Sequence, residues 1–142
     1  MPGKISLYYT AGSPPSRACI NLARILKVDI ELKNVNLIEG ELRSEWFKKL
    51  NPVKKIPVMV FDGFILAESR AILAYIVNKW HPGSSWYPND PEKRALIDQR
   101  LYYDATIVFP ALAGVVVSIF ILLSLKLYFF VVFSFRDQFF TI

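Results

Sequence analysis

The stretch PVMVFDGFILAESRAILAYIVNKW, residues 57–80, decides the fold. Residues 57–61 are all apolar and predict a buried strand, which Asp62-Gly63 connects through a two-residue hairpin turn to a returning strand at 64–66. From Ser69 to Trp80 the apolar residues recur at helical spacing. We therefore predict a β-hairpin that is followed at once by a helix.

Upstream of this stretch, strand-like and helix-like segments alternate. We predict a strand at 4–9, a helix at 15–27, a half-buried strand at 28–32 and a short charged helix at 42–50. The apolar face expected for the first helix consists of Ala18, Leu22, Ile25 and Leu26. The resulting order, β-α-β-α-β-β-α, predicts an α/β domain of the thioredoxin-like type.

Downstream, the composition changes twice. Residues 82–89 form a linker rich in Pro, Gly and Ser, and Asp90-Pro91 then carries the residue types that begin a helix. We therefore predict a first domain over residues 1–81, the linker over 82–89, and a helical region over 90–142.

The overall composition excludes several classes of function. The 142 residues carry a net charge of +5 with both signs interspersed, which is not the footprint of a nucleic-acid-binding protein. One cysteine and one histidine exclude an internal disulfide framework and a Cys/His zinc site, and no metal is expected. No signal peptide is predicted, and the single thiol is compatible with the reducing cytoplasm.

The carboxyl-terminal part of the chain is unusually apolar. No charged residue occurs from 105 to 125, and as a helix those residues span about 31 Å, which is enough to cross a bilayer. The apolar tail at 105–135 has two interpretations. It is either a membrane anchor or the translation of an intron or of a shifted frame in an incomplete gene model, and the second is favoured.

Two helix starts carry residues suited to holding an anion. Ser13 lies in the turn before the first helix, where a hydroxyl and the helix dipole stabilise negative charge. Ser16, one turn later, is the competing hydroxyl. Glu68-Ser69-Arg70 opens the helix at 69–80, and together these residues suit a ligand that has both an ammonium and a carboxylate. The alternative is that Ser13, Glu68 and Ser69 are ordinary capping residues.

Four motifs in order resemble the cytosolic glutathione transferases. They are LYYTAGSPPSRA, NPVKKIPV, DGFILAESRAILAYIVNKW and YPNDPEKRALIDQRLYYD, and they lie within residues 4–106. The chain is most similar to the serine-type delta and epsilon classes of arthropods, with theta-like features. The resemblance implies a thioredoxin-like glutathione-binding domain, a homodimer, and an all-helical second domain that is truncated here.

The resemblance also implies roles for individual residues. Ser13 would stabilise the glutathione thiolate. Pro57 would follow a cis peptide bond, with Ile56 pairing through its backbone with the cysteinyl part of glutathione, although a plain strand-starting proline is the alternative. Glu68 and Ser69 would hold the γ-glutamyl end, and Arg70 would assist them or face the dimer partner.

The loop before Pro57 departs from the family. The delta class usually has Gln and His at the positions of Val53 and Lys54, and a further histidine at the position of Leu42. The resemblance places Lys54 and Lys55 near the glycine carboxylate of glutathione, where Lys54 would act as a point charge. A solvated loop lysine is the alternative.

The expected function is transfer of glutathione, as co-substrate, to small electrophiles in detoxification, impaired by the truncation. The alternative is a non-catalytic thioredoxin-like module that binds glutathione or a protein and is anchored to a membrane by its tail. A thiol-disulfide oxidoreductase is disfavoured because the chain lacks a C-x-x-C motif, and Cys19 is interpreted as a packing residue.

Overall fold

The computed structural model describes residues 4–139, and the side chains of residues 4–126. The strands are β1 (Ile5–Tyr9), β2 (Ile30–Asn34), β3 (Val58–Phe61) and β4 (Phe64–Ala67). The helices are α1 (Pro14–Ile25), α2 (Glu45–Leu50), α3 (Ser69–Trp80), α4 (Pro91–Tyr103) and α5 (Phe109–Phe139), with a 3₁₀ turn at Glu41–Arg43 and a π-helical turn at Asp104–Val108. The predicted order of elements up to α3 is confirmed.

The four strands form one mixed sheet in the order β2-β1-β3-β4. Strand β2 runs parallel to β1, whereas β3 is antiparallel to both β1 and β4. The β3–β4 hairpin closes through Asp62 and Gly63, both of which have positive φ, as a tight turn that matches the twist of the strands requires. The architecture is thioredoxin-like, as predicted.

The sheet is covered on both faces because its strand residues alternate in direction. On one face, Ile5 and Leu7 of β1 pack with Met59 of β3 against the buried sides of α1 and α3. On the other face, Val58 packs with Val35 and with Phe47 of α2. These two apolar clusters hold the helix starts at fixed positions relative to the sheet.

The structure corrects the predicted apolar face of α1. Of the four predicted residues, Leu22 and Leu26 are buried, whereas Ala18 is exposed and Ile25 is 60% exposed. The other buried residues of the helix are Ser16, Cys19, Ile20 and Ala23. The error is one of helical phase, since positions 16, 19, 20 and 23 share one face at 3.6 residues per turn. Cys19 is fully buried, which confirms its interpretation as a packing residue.

The predicted strand at 28–32 and the predicted helix at 42–50 are both present, but their boundaries differ from the prediction. The second strand begins at Ile30 rather than at residue 28, and Leu32 is exposed because β2 lies at the edge of the sheet. The predicted helix at 42–50 is a 3₁₀ turn followed by α2. Ser44 separates them because its extended backbone makes it the N-cap of α2, where its side chain accepts a hydrogen bond from the Phe47 amide.

The chain divides into two compact units after Asp98. In the first unit, the linker before α4 is held to that helix by the Tyr87 hydroxyl, which donates to Asp98, and by Arg94, whose guanidinium lies over the Tyr87 ring. The domain boundary at residues 82–89 therefore stays a prediction, because these contacts continue past the linker.

The second unit is helical. A helical stretch from Pro91 to Lys126 contains an 18-residue window of mean hydropathy 2.6, none of it buried, and is long and apolar enough to cross a membrane. Tyr102 and Tyr103 are 71% and 58% exposed. In the predicted apolar tail at 105–135, the side chains beyond Lys126 lie outside the described residues.

Candidate functional site

Strand register brings three predicted site segments to one end of the sheet. Tyr8 of β1 pairs with Val58 of β3, and Val58 pairs in turn with Ala67 of β4. The segments next to these three residues therefore leave the sheet at the same end of its strands. They are the turn that leads to Ser13, the Ile56-Pro57 peptide, and the Glu68-Ser69 step into α3.

Ser13 is the N-cap of α1. Its side-chain oxygen accepts one hydrogen bond from the Ser16 amide at 3.3 Å and a second from the Ser16 hydroxyl at 3.0 Å. Ser13 therefore does act as a capping residue, as its alternative interpretation held. Capping does not exclude ligand binding, because a hydroxyl that accepts two hydrogen bonds still has its own proton to donate.

The backbone at the start of α1 offers few donors to an anion. Pro14 and Pro15 have no amide hydrogen, and the amides of Ser13 and Arg17 donate to the carbonyls of Thr10 and Ser13. Because the Ser16 amide is also engaged, the Ser13 hydroxyl is the donor that this helix start presents. The Ser13 side chain is half-buried, so a ligand in solution can reach it.

The peptide bond between Ile56 and Pro57 is cis, as the resemblance implied. Pro57 is buried, and Ile56 is half-buried and packs against the cluster around Phe47. Because β3 begins only at Val58, the backbone of Ile56 lies outside the sheet ladder.

Glu68 has an unusual backbone for a residue with a side chain. Its φ of 68° and ψ of 109° lie where non-glycine residues are rarely found, at a cost of about 1–3 kcal/mol, and such residues are concentrated at ligand sites. Its side chain makes no capping hydrogen bond to α3 and is exposed. Glu68 is therefore the N-cap residue of α3 by position, but its side chain does not cap the helix.

Ser69 and Arg70 form the first turn of α3. Ser69 is 3% exposed, and its hydroxyl accepts a hydrogen bond of 2.7 Å from the Arg70 guanidinium. The first amides of a helix point toward its N-terminal end and favour a carboxylate there. Next to the exposed Glu68 carboxylate, this arrangement offers opposite charges to the two charged groups of an amino acid.

Lys54 and Lys55 lie in the exposed loop before Ile56. The hydrogen bonds that fix this loop come from Asn51, which is 5% exposed. Its side-chain amide donates to the Lys55 carbonyl at 2.8 Å, and its side-chain oxygen accepts from the Val53 amide at 3.1 Å. The structure thus fixes the backbone of the two lysines, and both side chains extend into solvent.

Asn51 was not among the predicted site residues. The sequence signal was present in Asn51-Pro52, which marks a turn. That pattern shows a helix stop, however, and does not show that the side chain turns inward to hold the residues that precede Pro57. Only the buried amide in the structure identifies Asn51 as the support of this loop.

Cys19 connects the two helix starts. Its thiol donates to the carbonyl of Ser69 at 3.6 Å, and burial raises the pKa of the thiol to about 12, against a smaller lowering by the Arg70 charge. A thiol reacts as its thiolate, so this pKa keeps Cys19 unreactive near neutral pH. Cys19 is therefore a packing residue between α1 and the start of α3.

We expect native Cys19 to resist alkylation. The rise in pKa from 9.0 to about 12 lowers the thiolate fraction about a thousandfold at any pH well below 9, and burial slows the reagent further. Iodoacetamide labelling at pH 8, followed by mass spectrometry, checks this. Because the chain has one cysteine, the urea-unfolded protein is its own control, and equal labelling rates before and after unfolding would contradict the expectation.

The described residues contain no group of three or more His, Cys, Asp or Glu side chains that could hold a metal ion. The arrangement at this end of the sheet instead consists of the Ser13 hydroxyl proton, the Ile56 backbone outside the sheet ladder, and the start of α3 next to the Glu68 carboxylate. It defines a thioredoxin-like domain with a candidate ligand site at one end of its sheet.

A family model described as "Glutathione S-transferase, N-terminal domain" matches residues 3–78, more than half of the chain. The chain belongs to the glutathione S-transferase family, which confirms the resemblance drawn from the four motifs.

The similar proteins are insect members of this family. Glutathione S-transferase 1 of Manduca sexta is 45% identical over 111 residues, which are 78% of this chain and 51% of that protein. An epsilon-class glutathione S-transferase of the housefly, Musca domestica, is 39% identical with a TM-score of 0.78 over 83% of this chain and 55% of that one. A glutathione transferase homologue of Drosophila mojavensis, solved with bound glutathione, is 38% identical with a TM-score of 0.73 over 75% of this chain and 49% of that one. This chain thus spans about half the length of the curated relatives that it matches.

Proposed function

We propose that the chain binds glutathione at the end of the sheet where Ser13, Ile56 and Glu68 lie, and transfers it to small electrophiles in the cytoplasm. The observation that carries this proposal is the Ser13 hydroxyl, whose acceptor sites are taken by Ser16 and whose proton remains for a ligand. Donation of that proton to sulfur favours the thiolate over the thiol, which is the poorer nucleophile.

The reaction has a simple balance. The glutathione thiol, whose free pKa is about 8.5, loses its proton to solvent when it binds next to Ser13. The thiolate then uses an electron pair to form a carbon–sulfur bond with the electrophile, and a leaving group such as chloride departs with the electrons of the bond that breaks. The other contacts place the thiolate and take no part in bond changes.

Those contacts divide glutathione into three parts. The backbone of Ile56, next to Pro57, is proposed to pair with the cysteinyl part. Glu68 and the start of α3 at Ser69 would hold the ammonium and carboxylate of the γ-glutamyl end, with Arg70 assisting through its bond to the Ser69 hydroxyl. The exposed charges of Lys54 and Lys55 would attract the glycine carboxylate, and because they are solvated we expect each to contribute little.

The homodimer expected from the family is proposed on a surface of the first unit. Phe64 and Ile65 of β4, an edge strand, are 46% and 45% exposed, and the ring of Tyr75 lies 5.3 Å from that of Phe64. Adjacent exposed apolar side chains of this kind mark protein–protein contacts. Sedimentation of the purified chain with and without Phe64→Ser tests this surface.

The proposed activity is tested on the purified chain with a chlorodinitrobenzene as the electrophile. Conjugation above the uncatalysed rate, together with glutathione binding by calorimetry, supports the transferase. Glutathione binding without turnover would favour the non-catalytic module. Absence of glutathione binding would contradict the transferase and the glutathione-binding form of that module.

Membrane association is the second candidate property, and it is favoured by α5. Side chains at successive positions from Val115 to Val117 and from Ile119 to Leu123 are all about half exposed or more. Consecutive residues point in every direction around a helix, so the apolar surface is not confined to one stripe as in a helix that packs on a protein core. A lipid bilayer suits such a helix.

We expect Val116→Lys to reduce membrane binding about a hundredfold. Val116 is 66% exposed near the centre of the uncharged stretch, and a lysine there costs about 2.5–3.5 kcal/mol in a bilayer. Flotation with vesicles of neutral lipid, after detergent removal, measures the effect. Ile38→Lys, at a side chain 98% exposed in the first unit, is the control, and equal recovery of both variants with the vesicles would contradict insertion of α5.

A further inference from the structure

The Ser16 hydroxyl is a buried polar group with a single partner. Its side chain is 0% exposed, and within the described part of the chain its hydroxyl has one hydrogen-bond partner, the Ser13 oxygen at 3.0 Å. Because a buried donor without a partner is costly, the Ser16 proton lies on the line to Ser13. The reverse direction, from Ser13 to Ser16, would leave the Ser16 proton unbonded in the core.

This direction fixes what the Ser13 hydroxyl does. A serine oxygen has two lone pairs and one proton. The Ser16 amide and the Ser16 hydroxyl both donate to this oxygen, so the lone pairs are occupied and the proton of Ser13 is directed away from α1. Ser16 itself is enclosed and cannot reach a ligand in solution.

We propose that Ser16 is a positioning residue, which holds the Ser13 hydroxyl as a donor toward the glutathione sulfur. The proposal rests on the proposed function and deepens it. Ser16 acts in two ways: it removes the rotamers in which Ser13 would turn its proton inward, and its donation polarises the Ser13 hydroxyl. Hydrogen bonds in a chain strengthen one another by roughly 10–30%.

Ser16→Ala separates this role from helix capping. Alanine keeps the backbone amide that donates to Ser13, so the N-cap bond of α1 stays, and only the side-chain donor is lost. We expect the pKa of the enzyme-bound glutathione thiol to rise by about half a unit to one unit, because the lost bond is a neutral one of modest strength.

The experiment follows the ultraviolet absorbance of bound glutathione thiolate against pH for the full chain. Three variants are compared with the parent: Ser16→Ala, Ser16→Cys and Ile20→Val. Cysteine keeps a weak donor in nearly the same volume, so its thiol pKa should lie between the other values. Ile20→Val removes a buried methyl from the same face of α1, and should lower stability without moving the pKa.

The outcomes distinguish this proposal from the one on which it rests. The positioning role is supported if the pKa of the bound thiol is raised in Ser16→Ala, raised less in Ser16→Cys, and unchanged in Ile20→Val. A pKa equal to the parent's in Ser16→Ala overturns that role and leaves the transferase standing. If the parent itself shows no bound thiolate, both proposals are wrong.

Discussion

Replacement of Ser13 by alanine is expected to lower kcat/KM for glutathione conjugation by about a hundredfold to a thousandfold. Removal of one oriented hydrogen-bond donor from a developing or bound anion has effects of this size. The loss should be large here because Pro14 and Pro15, the first two residues of α1, have no amide hydrogen that could substitute for the hydroxyl. Conjugation rates measured with a chlorodinitrobenzene over a range of pH test this. The variant should regain activity as the pH approaches the pKa of free glutathione, because the thiolate then forms without the Ser13 hydroxyl.

A matched control is needed because Ser13→Ala also removes a helix cap. That loss costs about 1 kcal/mol of stability and alone would not change the chemistry. Ser44 caps α2 in the same way, with its side chain accepting from the Phe47 amide at 3.2 Å, and it lies outside the proposed site. We expect Ser44→Ala to lose similar stability and keep its activity. Equal losses of activity in the two variants would mean that Ser13 serves as a cap alone.

The largest effect on stability is expected for Phe47→Ala, at about 3–5 kcal/mol. Phe47 is fully buried between Val35 and Val58 on the face of the sheet covered by α2, and its removal leaves a cavity that short strands and one short helix fill poorly. Ile56 packs against the same cluster, so we also expect weaker glutathione binding.

Urea unfolding followed by tryptophan fluorescence measures this loss. All three tryptophans, Trp46, Trp80 and Trp86, lie in the first unit, so the signal reports that unit without α5. Ile38→Ala is the control, because that side chain is 98% exposed and its truncation should change the free energy of unfolding by less than about 0.5 kcal/mol. A midpoint for Phe47→Ala close to that of Ile38→Ala would contradict the assigned core.

The elements with strong local signals were predicted well. The hairpin at Asp62-Gly63 and the helix from Ser69 to Trp80 appear at the predicted positions, because turn chemistry and helical periodicity act over a few residues. The face of α1 was predicted only in part, since Leu22 and Leu26 are buried but Ala18 and Ile25 are exposed. Ser16 is polar, yet it is buried together with Cys19.

In the candidate site, too, some residues were predictable from local sequence and others were not. Ser13 and the Glu68-Ser69 pair stand at helix starts that local sequence reveals. Whether the Glu68 side chain caps its helix was open in the sequence, and in the structure that side chain makes no capping hydrogen bond to α3. Asn51 escaped prediction because its partners, among them Lys55, are backbone groups that leave no mark in the sequence.

The amino-acid sequence by itself determined the family, the order of strands and helices, and the apolar character of residues 105–125. These are properties of residue type and spacing along the chain. Only the tertiary structure decided that Tyr8, Val58 and Ala67 stand in one row, and that the buried Ser16 donates to Ser13. The physical reason is that strand register and burial depend on contacts between residues far apart in the chain. A serine in a local pattern therefore does not show whether its hydroxyl is buried or which group it bonds.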